Sequence, residues 1–381
     1  MKKIKICIII TKLELGGAQK VAIDLCKKLD QTKFEPFMIC GLGGILDDET
    51  ANQIKVYFVK DLIRELNPVK DLKAFFEIYK ILKNEKPDIV HTHSSKAGIL
   101  GRFTAFVCGT KNIIHTIHGF PFNDTQSFFK KNLYVFLERI CAKISKFLIP
   151  VSTENIKKGL EHGIGIKDKY RYIRLGIDIE NFKNLNHAPL LKKELGLKET
   201  DMLVTTIGPF KPQKNLTDFI NVANIILKQN NNYKFVITGD GAERKKLEDL
   251  IENYKIKNNV YLLGWRRDIS NILNSSDFFV MTSLWEGLPI STIEAMSCGL
   301  VPIVNDVDGQ REIIKNSENG FLIKPYDINE TAGKILFLAD NPGVKNEMSL
   351  KAKQTINDTF SIDYMIKQHE NMYSQSSDIN V

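Results

Sequence analysis

From residue 4 onward the chain keeps returning to one pattern: a short apolar run rich in Ile and Val, then a longer stretch with apolar residues at helical spacing. Strands that alternate with helices form parallel sheets, because each crossover helix carries the chain back to start the next strand in the same direction. In the first half the strand candidates are IKICIIIT (4–11), PFMICGL (36–42), IKVYFV (54–59), DIVHTH (88–93), NIIHTIH (112–118) and KFLIPVS (146–152). A second series starts afresh with DMLVTTIG (201–208), YKFVITG (233–239), NVYLLGW (259–265), SDFFVMT (276–282) and LVPIVND (300–306). Two independent series predict two doubly wound α/β domains facing each other, with the polar stretch 179–201 as their junction. A length of 381 residues suits that division, since each half can bury its own core.

Composition narrows the class. Hydrophobic residues make up 43% and charged residues 26%, the balance of a globular protein and not of a disordered one. The start, MKKIKICIIITKLELGG, has a basic end and an apolar run, but it is too short for a signal peptide and flows into a glycine turn as a buried strand would. No window approaches the roughly 20 apolar residues of a membrane span. The six cysteines sit mostly inside apolar segments without CxxC or metal-ligand spacing, so they read as reduced core residues of a cytoplasmic protein. The net charge of +8 suits an anionic substrate or an anionic membrane, and with no nucleic-acid motif present it gives no case for RNA or DNA.

In open parallel sheets ligands bind beyond the carboxyl ends of the strands. Those positions hold Gly16 and Gly17, then His91, His93 and Lys96, then His118 and Gly119. In the second series they hold Gly208 to Lys214, Gly239 to Gly241, Trp265 to Arg267, Glu286 to Pro289, and Asp306 to Gly309. The stretch EGLPISTIE is the most informative of them. Its glycine and proline stand at a helix start, so the N–H groups of Gly287, Leu288 and the following turn are left for a ligand. Glu286 and Glu294 can each accept hydrogen bonds from sugar or ribose hydroxyls. A capped amphipathic helix with incidental acids accounts for the same residues without a ligand.

With its surroundings, SLWEGLPISTIEAMSCGLVPIV resembles the E-x7-E signature of retaining nucleotide-sugar glycosyltransferases of family 4. The resemblance covers nearly the whole chain. LELGGAQKVAIDL is similar to that family's donor-facing glycine loop, VHTHSSKAGILGR and HTIHGFPF to its acceptor-side and active-site strand ends, IGPFKPQKN to its phosphate loop, and ITGDGAERKKLE to the next strand-turn-helix. It implies the GT-B fold, two Rossmann-like domains across a cleft, with boundaries near 1–180, 181–360 and a final segment 361–381 whose helix crosses back onto the first domain. Carried over residue by residue, it implies that Glu294 binds the nucleotide ribose and Glu286 the donor sugar. Gly287, Leu288 and Pro289 would frame the donor, with Gly239 and Arg266 at neighbouring strand ends. Lys214 would neutralise the diphosphate, Gly16 and Gly17 would let backbone approach it, and His118 would sit over the reacting carbon.

Three positions depart from the pattern. Pro209 stands where the family usually has an arginine that pairs with the diphosphate, and Lys211 is the nearest substitute. Leu175 replaces the usual asparagine before the hinge glycine, and Gln19 a common glutamate.

Other constellations carry plainer readings. His91 and His93 alternate along a strand, and the expectation is that they point to opposite faces and cannot share a metal, one packed and His93 with Ser94 and Lys96 turned to the acceptor. Asp306 and Asp308, in DVDG, mimic a metal-binding acid pair and read more simply as a turn. GLGG at 41–44 lacks the dinucleotide spacing. The stretch 127–149 combines Lys130, Lys131, Arg139, Lys143 and Lys146 with apolar residues at near-helical spacing; its alternatives are an ordinary core-facing helix and a face for an anionic membrane.

The function expected is retaining transfer of a sugar, from a nucleotide diphosphate donor of the UDP-sugar kind to a hydroxyl of a glycan or lipid-linked glycan, in polysaccharide or glycoconjugate synthesis. No cofactor or metal is expected. The rivals are an epimerase or phosphorylase on the same frame, and a non-catalytic sugar-nucleotide-binding subunit. The expected location is cytoplasmic, with attachment at the inner face of the membrane left open.

Overall fold

The computed structural model describes residues 2–122, 126–183 and 190–376. It divides into two compact units, the first made of residues up to Leu175 together with those from Asp363, the second of Gly176–Ile362. The break falls between Leu175 and Gly176, just ahead of the predicted junction 179–201; of that junction, 184–189 lie outside the described residues.

The first unit holds β1 (Ile4–Lys12), β2 (Phe34–Gly41), β3 (Val56–Phe58), β4 (Ile89–His93), β5 (Asn112–Ile117) and β6 (Phe147–Pro150). The second holds β7 (Met202–Ile207), β8 (Tyr233–Thr238), β9 (Val260–Gly264), β10 (Phe278–Met281), β11 (Pro302–Asn305) and β12 (Phe321–Ile323). All pairings between these strands are parallel. The sheet orders are β3-β2-β1-β4-β5-β6 and β12-β11-β10-β7-β8-β9, so both units run their own strands 3-2-1-4-5-6, the doubly wound order. The fold is α/β, two Rossmann-like units of the GT-B class. The sequence pattern locates every strand except β12, whose three residues lie between turns and leave no period to read.

The strands form where they do because Ile, Val and Phe can be buried on both faces of a parallel sheet. Ile4, Ile6, Ile8, Ile9 and Ile10 of β1 are all fully buried. Val204, Phe235, Ile237, Phe278, Val280 and Ile303 belong to one core of the second unit, closed by the helices Leu216–Leu227 and Ile328–Asp340. At 25 cal/mol per Å2, each such side chain contributes about 2 kcal/mol on leaving water. The helix Ile362–Ser376 belongs to the first unit from Asp363 on: Tyr373 is fully buried against Phe34, and Glu370 accepts the Asp30 N–H at 2.8 Å.

The order of the strands reverses direction between β1 and β4 in one sheet and between β7 and β10 in the other. Crevices open at such switch points, so the segments after these four strands are where a ligand site is expected.

Candidate active site

In the second unit the segments after β7 and β10 are joined to each other. After β7 the chain turns through Gly208 to the short 3-10 helix Pro212–Lys214; after β10 it runs through Thr282 to Glu286 and into the helix Ile290–Ser297. Lys214 Nζ lies 2.6 Å from Glu286 Oε1, with both side chains largely buried. Gly208 makes that reach possible, since a Cβ there would meet Lys214 Cε at 2.8 Å. Sequence reasoning assigned Lys214 to the diphosphate and Glu286 to the sugar separately, and the structure makes them one pair. An ammonium has three donors, so Lys214 keeps two beyond the one that holds Glu286.

Several side chains fix this pair's setting. Gln213 accepts the Leu284 N–H on its carbonyl at 2.8 Å and donates from Nε2 to Trp285 O at 2.8 Å. Thr282 donates its hydroxyl to Lys214 O and Asn215 O, and Asn305 Nδ2 donates to Thr282 O and Ser283 O. Asp308, at φ 24°, accepts the Glu286 N–H at 3.3 Å, while Asp306 pairs with Arg311 at 2.6 Å. The two acids of DVDG thus have separate jobs, and Asp308 belongs to the site.

Pro289 caps the helix Ile290–Ser297 with an extended backbone, one position earlier than a first-turn proline. Among the described residues the N–H groups of Gly287, Leu288, Ile290 and Ser291 have no acceptor. Leu288 is buried and Glu294 lies on the buried face of the helix. This mouth is an array of aligned donors, the setting an anion or a set of hydroxyls prefers.

Gly239 ends β8 at φ +135°, a conformation only glycine adopts easily, and a Cβ there would strike Gly208 O at 2.1 Å. Its role in the structure is to let the ends of β7 and β8 meet. Lys211 caps the 3-10 helix Pro212–Lys214 through its extended backbone. Arg266 is engaged in two ion pairs. Its guanidinium bonds to Glu194 at 2.5 and 2.9 Å and to Asp268 at 2.8 and 2.7 Å, and it holds the Asp268 carboxyl down to about 2. A guanidinium shared by two carboxylates has little left for a phosphate.

In the first unit Gly16 caps the helix Gly17–Lys28, whose first turn carries no acid. Ser94, at the end of β4, bonds across the switch point to the Thr11 hydroxyl at 2.7 Å and accepts the Thr11 N–H. Lys96 pairs with Asp71 at 2.5 Å and also donates to Glu65 O, both within the first unit.

The histidines require a correction. His91 and His93 lie on one face of β4, not opposite faces, with ring centroids 4.3 Å apart. A strand repeats every two residues, so positions i and i+2 share a side. His91 is held by Tyr373 (Nδ1, 2.6 Å) and Thr116 (Nε2, 2.7 Å), and His93 Nδ1 lies 2.9 Å from His118 Nε2. His369, from the helix Ile362–Ser376, stacks on His91 at 5.8 Å. Burial pushes His91 and His93 well below the ordinary histidine range, and takes His118 to about 3 and His369 to about 4. All four are neutral at pH 7. Among the described residues no cluster of three or more potential ligands could hold a metal ion.

Two family models match the chain, Glycosyltransferase Family 4 over residues 15–181 and Glycosyl transferases group 1 over residues 188–355. A UDP-Gal:alpha-D-GlcNAc-diphosphoundecaprenol alpha-1,3-galactosyltransferase of Escherichia coli is 37% identical over 378 residues, 97% of each chain. The chain belongs to this glycosyltransferase family.

An N,N'-diacetylbacillosaminyl-diphospho-undecaprenol alpha-1,3-N-acetylgalactosaminyltransferase of Campylobacter jejuni is similar at 26% identity, over 87% of this chain and 88% of that one. In fold, the glycosyltransferase superposes on the Anabaena protein HepE in its complex with UDP and glucose with a TM-score of 0.84, at 19% identity over 98% of this chain and all of that one. The residues of the glycosyltransferase that sequence reasoning missed are Gly208, Gln213, Thr282, Asn305 and Asp308. Gly208 and Gln213 support Lys214 from its own loop, whereas Thr282, Asn305 and Asp308 reach the Lys214 or Glu286 segment from later in the chain. Gly208, Gln213 and Asp308 lay within the strand-end stretches that the sequence marks, without a role of their own.

Proposed function

We propose that this glycosyltransferase moves a hexosyl or N-acetylhexosaminyl group from a UDP-sugar to a hydroxyl of a lipid-linked glycan, with retention at the anomeric carbon. The observation that carries the reading is the Lys214–Glu286 pair standing beside the bare N–H groups at the mouth of the helix Ile290–Ser297. As the sugar leaves, negative charge grows on the diphosphate while the ring becomes cationic. Lys214 and the aligned N–H groups supply positive potential for the first, preorganised before the reaction. Glu286 Oε2 remains for a sugar hydroxyl, and Glu294 serves the ribose. Same-face attack lets the leaving phosphate take the acceptor's proton, so His118 need only position or polarise a substrate. The acceptor class is supported by two relatives whose names specify diphospho-undecaprenol acceptors.

The test is turnover with a panel of UDP-, GDP- and ADP-sugars and undecaprenyl-diphosphate glycans. His118→Ala and Glu286→Ala should abolish transfer and leave part of nucleotide binding. Normal turnover by both variants with every donor would remove the site assignment, and UDP binding without any release from a UDP-sugar would favour a non-catalytic subunit.

A peripheral contact with anionic membrane belongs to the same proposal. The helix Phe128–Ile144 buries Val135, Glu138, Cys141 and Ala142 and turns Phe128 (76% exposed), Phe129 (84%), Leu133 and Phe136 outward beside Lys130 and Lys143. The sequence stretch 127–149 thus ends as a helix at Ile144, with Lys146 tied to Asn112 and to Ser376 O. The helix Pro68–Glu85 exposes Val69, Leu72 and Phe76 in the same way. Apolar residues interleaved with lysines match an acyl boundary under anionic headgroups, which is where a lipid-linked acceptor and its enzyme meet. Among the described residues no helix is long and apolar enough to cross a membrane. Sedimentation with phosphatidylglycerol-rich vesicles at low salt should carry the protein down, with the bound fraction falling as salt rises; no binding at low salt would end the membrane proposal.

A further inference from the structure

The His93–His118 contact holds more information than the burial of either ring. His93 ends β4 with no exposure, and its Nδ1 meets His118 Nε2 at 2.9 Å. The outer nitrogens, His93 Nε2 and His118 Nδ1, are buried and lack a hydrogen-bond partner among the described residues. Between two neutral imidazoles a contact of this kind carries one proton, so there are two arrangements. If His93 donates, the remaining proton of the pair sits on His118 Nδ1 and His93 Nε2 is a bare lone pair. If His118 donates, the remaining proton sits on His93 Nε2.

The choice rests on where an N–H without an acceptor can be tolerated. A buried orphan donor costs about 1–3 kcal/mol, and orphan donors are rarer than under-used acceptors. Around His93 the interior is already filled: the His91 ring lies 4.3 Å away, and both its nitrogens are taken by Tyr373 and Thr116. A proton on His93 Nε2 has no hydrogen-bond acceptor in this packed surround. His118 stands past the end of β5, partly exposed, and Gly119 follows it at φ +146° with open space where a side chain would be. His118 Nδ1 is itself buried, but the ring stands at the strand end beside that open space, so a proton there is the one of the two that an incoming substrate oxygen can relieve.

We infer that His93 is a positioning residue: by donating from Nδ1 to His118 Nε2 it fixes His118 in the tautomer protonated at Nδ1, so that His118 offers a substrate oxygen an N–H. This inference rests on the reading of His118 as a substrate contact. It removes His93 from the acceptor surface and makes His118 a donor and not a base, because the Nε2 lone pair is already engaged. The helix Ile362–Ser376 backs the arrangement, since its Tyr373 pins His91 behind His93.

The test is the nitrogen-15 spectrum of the full chain labelled at histidine, with the His118 signals assigned by their loss in His118→Gln. In the wild type at pH 7, His118 should show a protonated Nδ1 and a bare Nε2. In His93→Phe the tautomer should move toward a protonated Nε2, with kcat lowered roughly tenfold to hundredfold and the donor KM little changed, the size of one lost substrate hydrogen bond. His93→Gln, whose amide can donate to Nε2, should restore both the Nδ1 proton and most of kcat. A wild-type His118 protonated at Nε2 would overturn the inference, as would a His93→Phe protein with unchanged tautomer and kcat. Should His93→Phe fail to fold, the wild-type spectrum and His93→Gln still decide. If His118→Ala turned over normally, the substrate role of His118 would fall, while the spectrum, which does not depend on activity, would still judge the tautomer.

Discussion

Both sheets run their strands in the same order, yet their strand ends differ in kind. The first unit gathers neutral rings: His91, His93, His115, His118 and His369 are all held uncharged by burial. The second unit gathers opposite charges, with Lys214 after β7 on Glu286 after β10, and Arg266 after β9 on Glu194 and Asp268. The difference teaches how one architecture divides a labour. On the proposed function, charge for a diphosphate is kept in pairs that can be shared, while a residue that directs a proton is kept neutral inside a packed wall.

The largest effect expected from breaking this contrast is in the second unit. Lys214→Ala removes the donor aimed at growing phosphate charge and leaves Glu286 without its partner, and kcat/KM should fall roughly hundredfold to thousandfold in a UDP-release assay. A fall of less than tenfold would mean that the pair is only structural.

Acid should then separate the units. The histidines of the first unit have folded pKa values below the unfolded value of 6.5, with His118 at about 3 and His369 at about 4. Their contribution is whole above pH 6.5 and is lost as pH falls from there toward the folded values, because the unfolded chain takes up protons that the folded one refuses. Each such group removes up to about 1.4 kcal/mol per pH unit in that window. Burial, and after it the charge of the Arg102 guanidinium, lowers the His115 pKa, and Arg102 itself pairs with the buried Glu138 at 2.8 Å. Hydrogen exchange at pH 7 and pH 5 should show protection lost in β4 and β5 before β7 and β10. Loss in the reverse order would show that the histidine wall does not set acid stability.

A smaller effect comes from Tyr373→Phe, which takes the hydroxyl off His91 Nδ1 and should lower the stability of the first unit by about 1–2 kcal/mol in denaturant melts. Gln213→Ala loosens the tie to Trp285 O in the second unit and should cost about 1 kcal/mol of transition-state binding, seen as a roughly fivefold drop in kcat/KM. The smallest is Arg266→Ala. Its partners are carboxylates and its pairs half-exposed, so stability should fall by less than about 1 kcal/mol and turnover should stay within twofold. A large loss of turnover would return Arg266 to the donor site.

These contrasts also show what a sequence can and cannot carry. The strands were legible because Ile and Val runs bounded by turns report burial on both faces, and the helix start in EGLPISTIE was legible because a glycine and a proline precede an apolar run. Pairing was not legible. Glu286 stands 72 residues after Lys214, Glu194 equally far before Arg266, and Asp71 is on a different helix from Lys96, so nothing local marks which cation is already occupied. The histidines are a different case: HTH itself places i and i+2 on one face of β4, against the expectation of opposite faces, whereas the packing of His118 and His369 against them comes from elsewhere in the chain.

The central claim is that Lys214 serves the diphosphate while Glu286, held by it, serves the sugar. Calorimetric titration of UDP into the wild type, Lys214→Ala and Glu286→Gln tests it most directly. Lys214→Ala should lose UDP affinity at least tenfold, while Glu286→Gln should bind UDP about as the wild type does and fail in transfer. UDP binding by Lys214→Ala equal to the wild type would contradict the account.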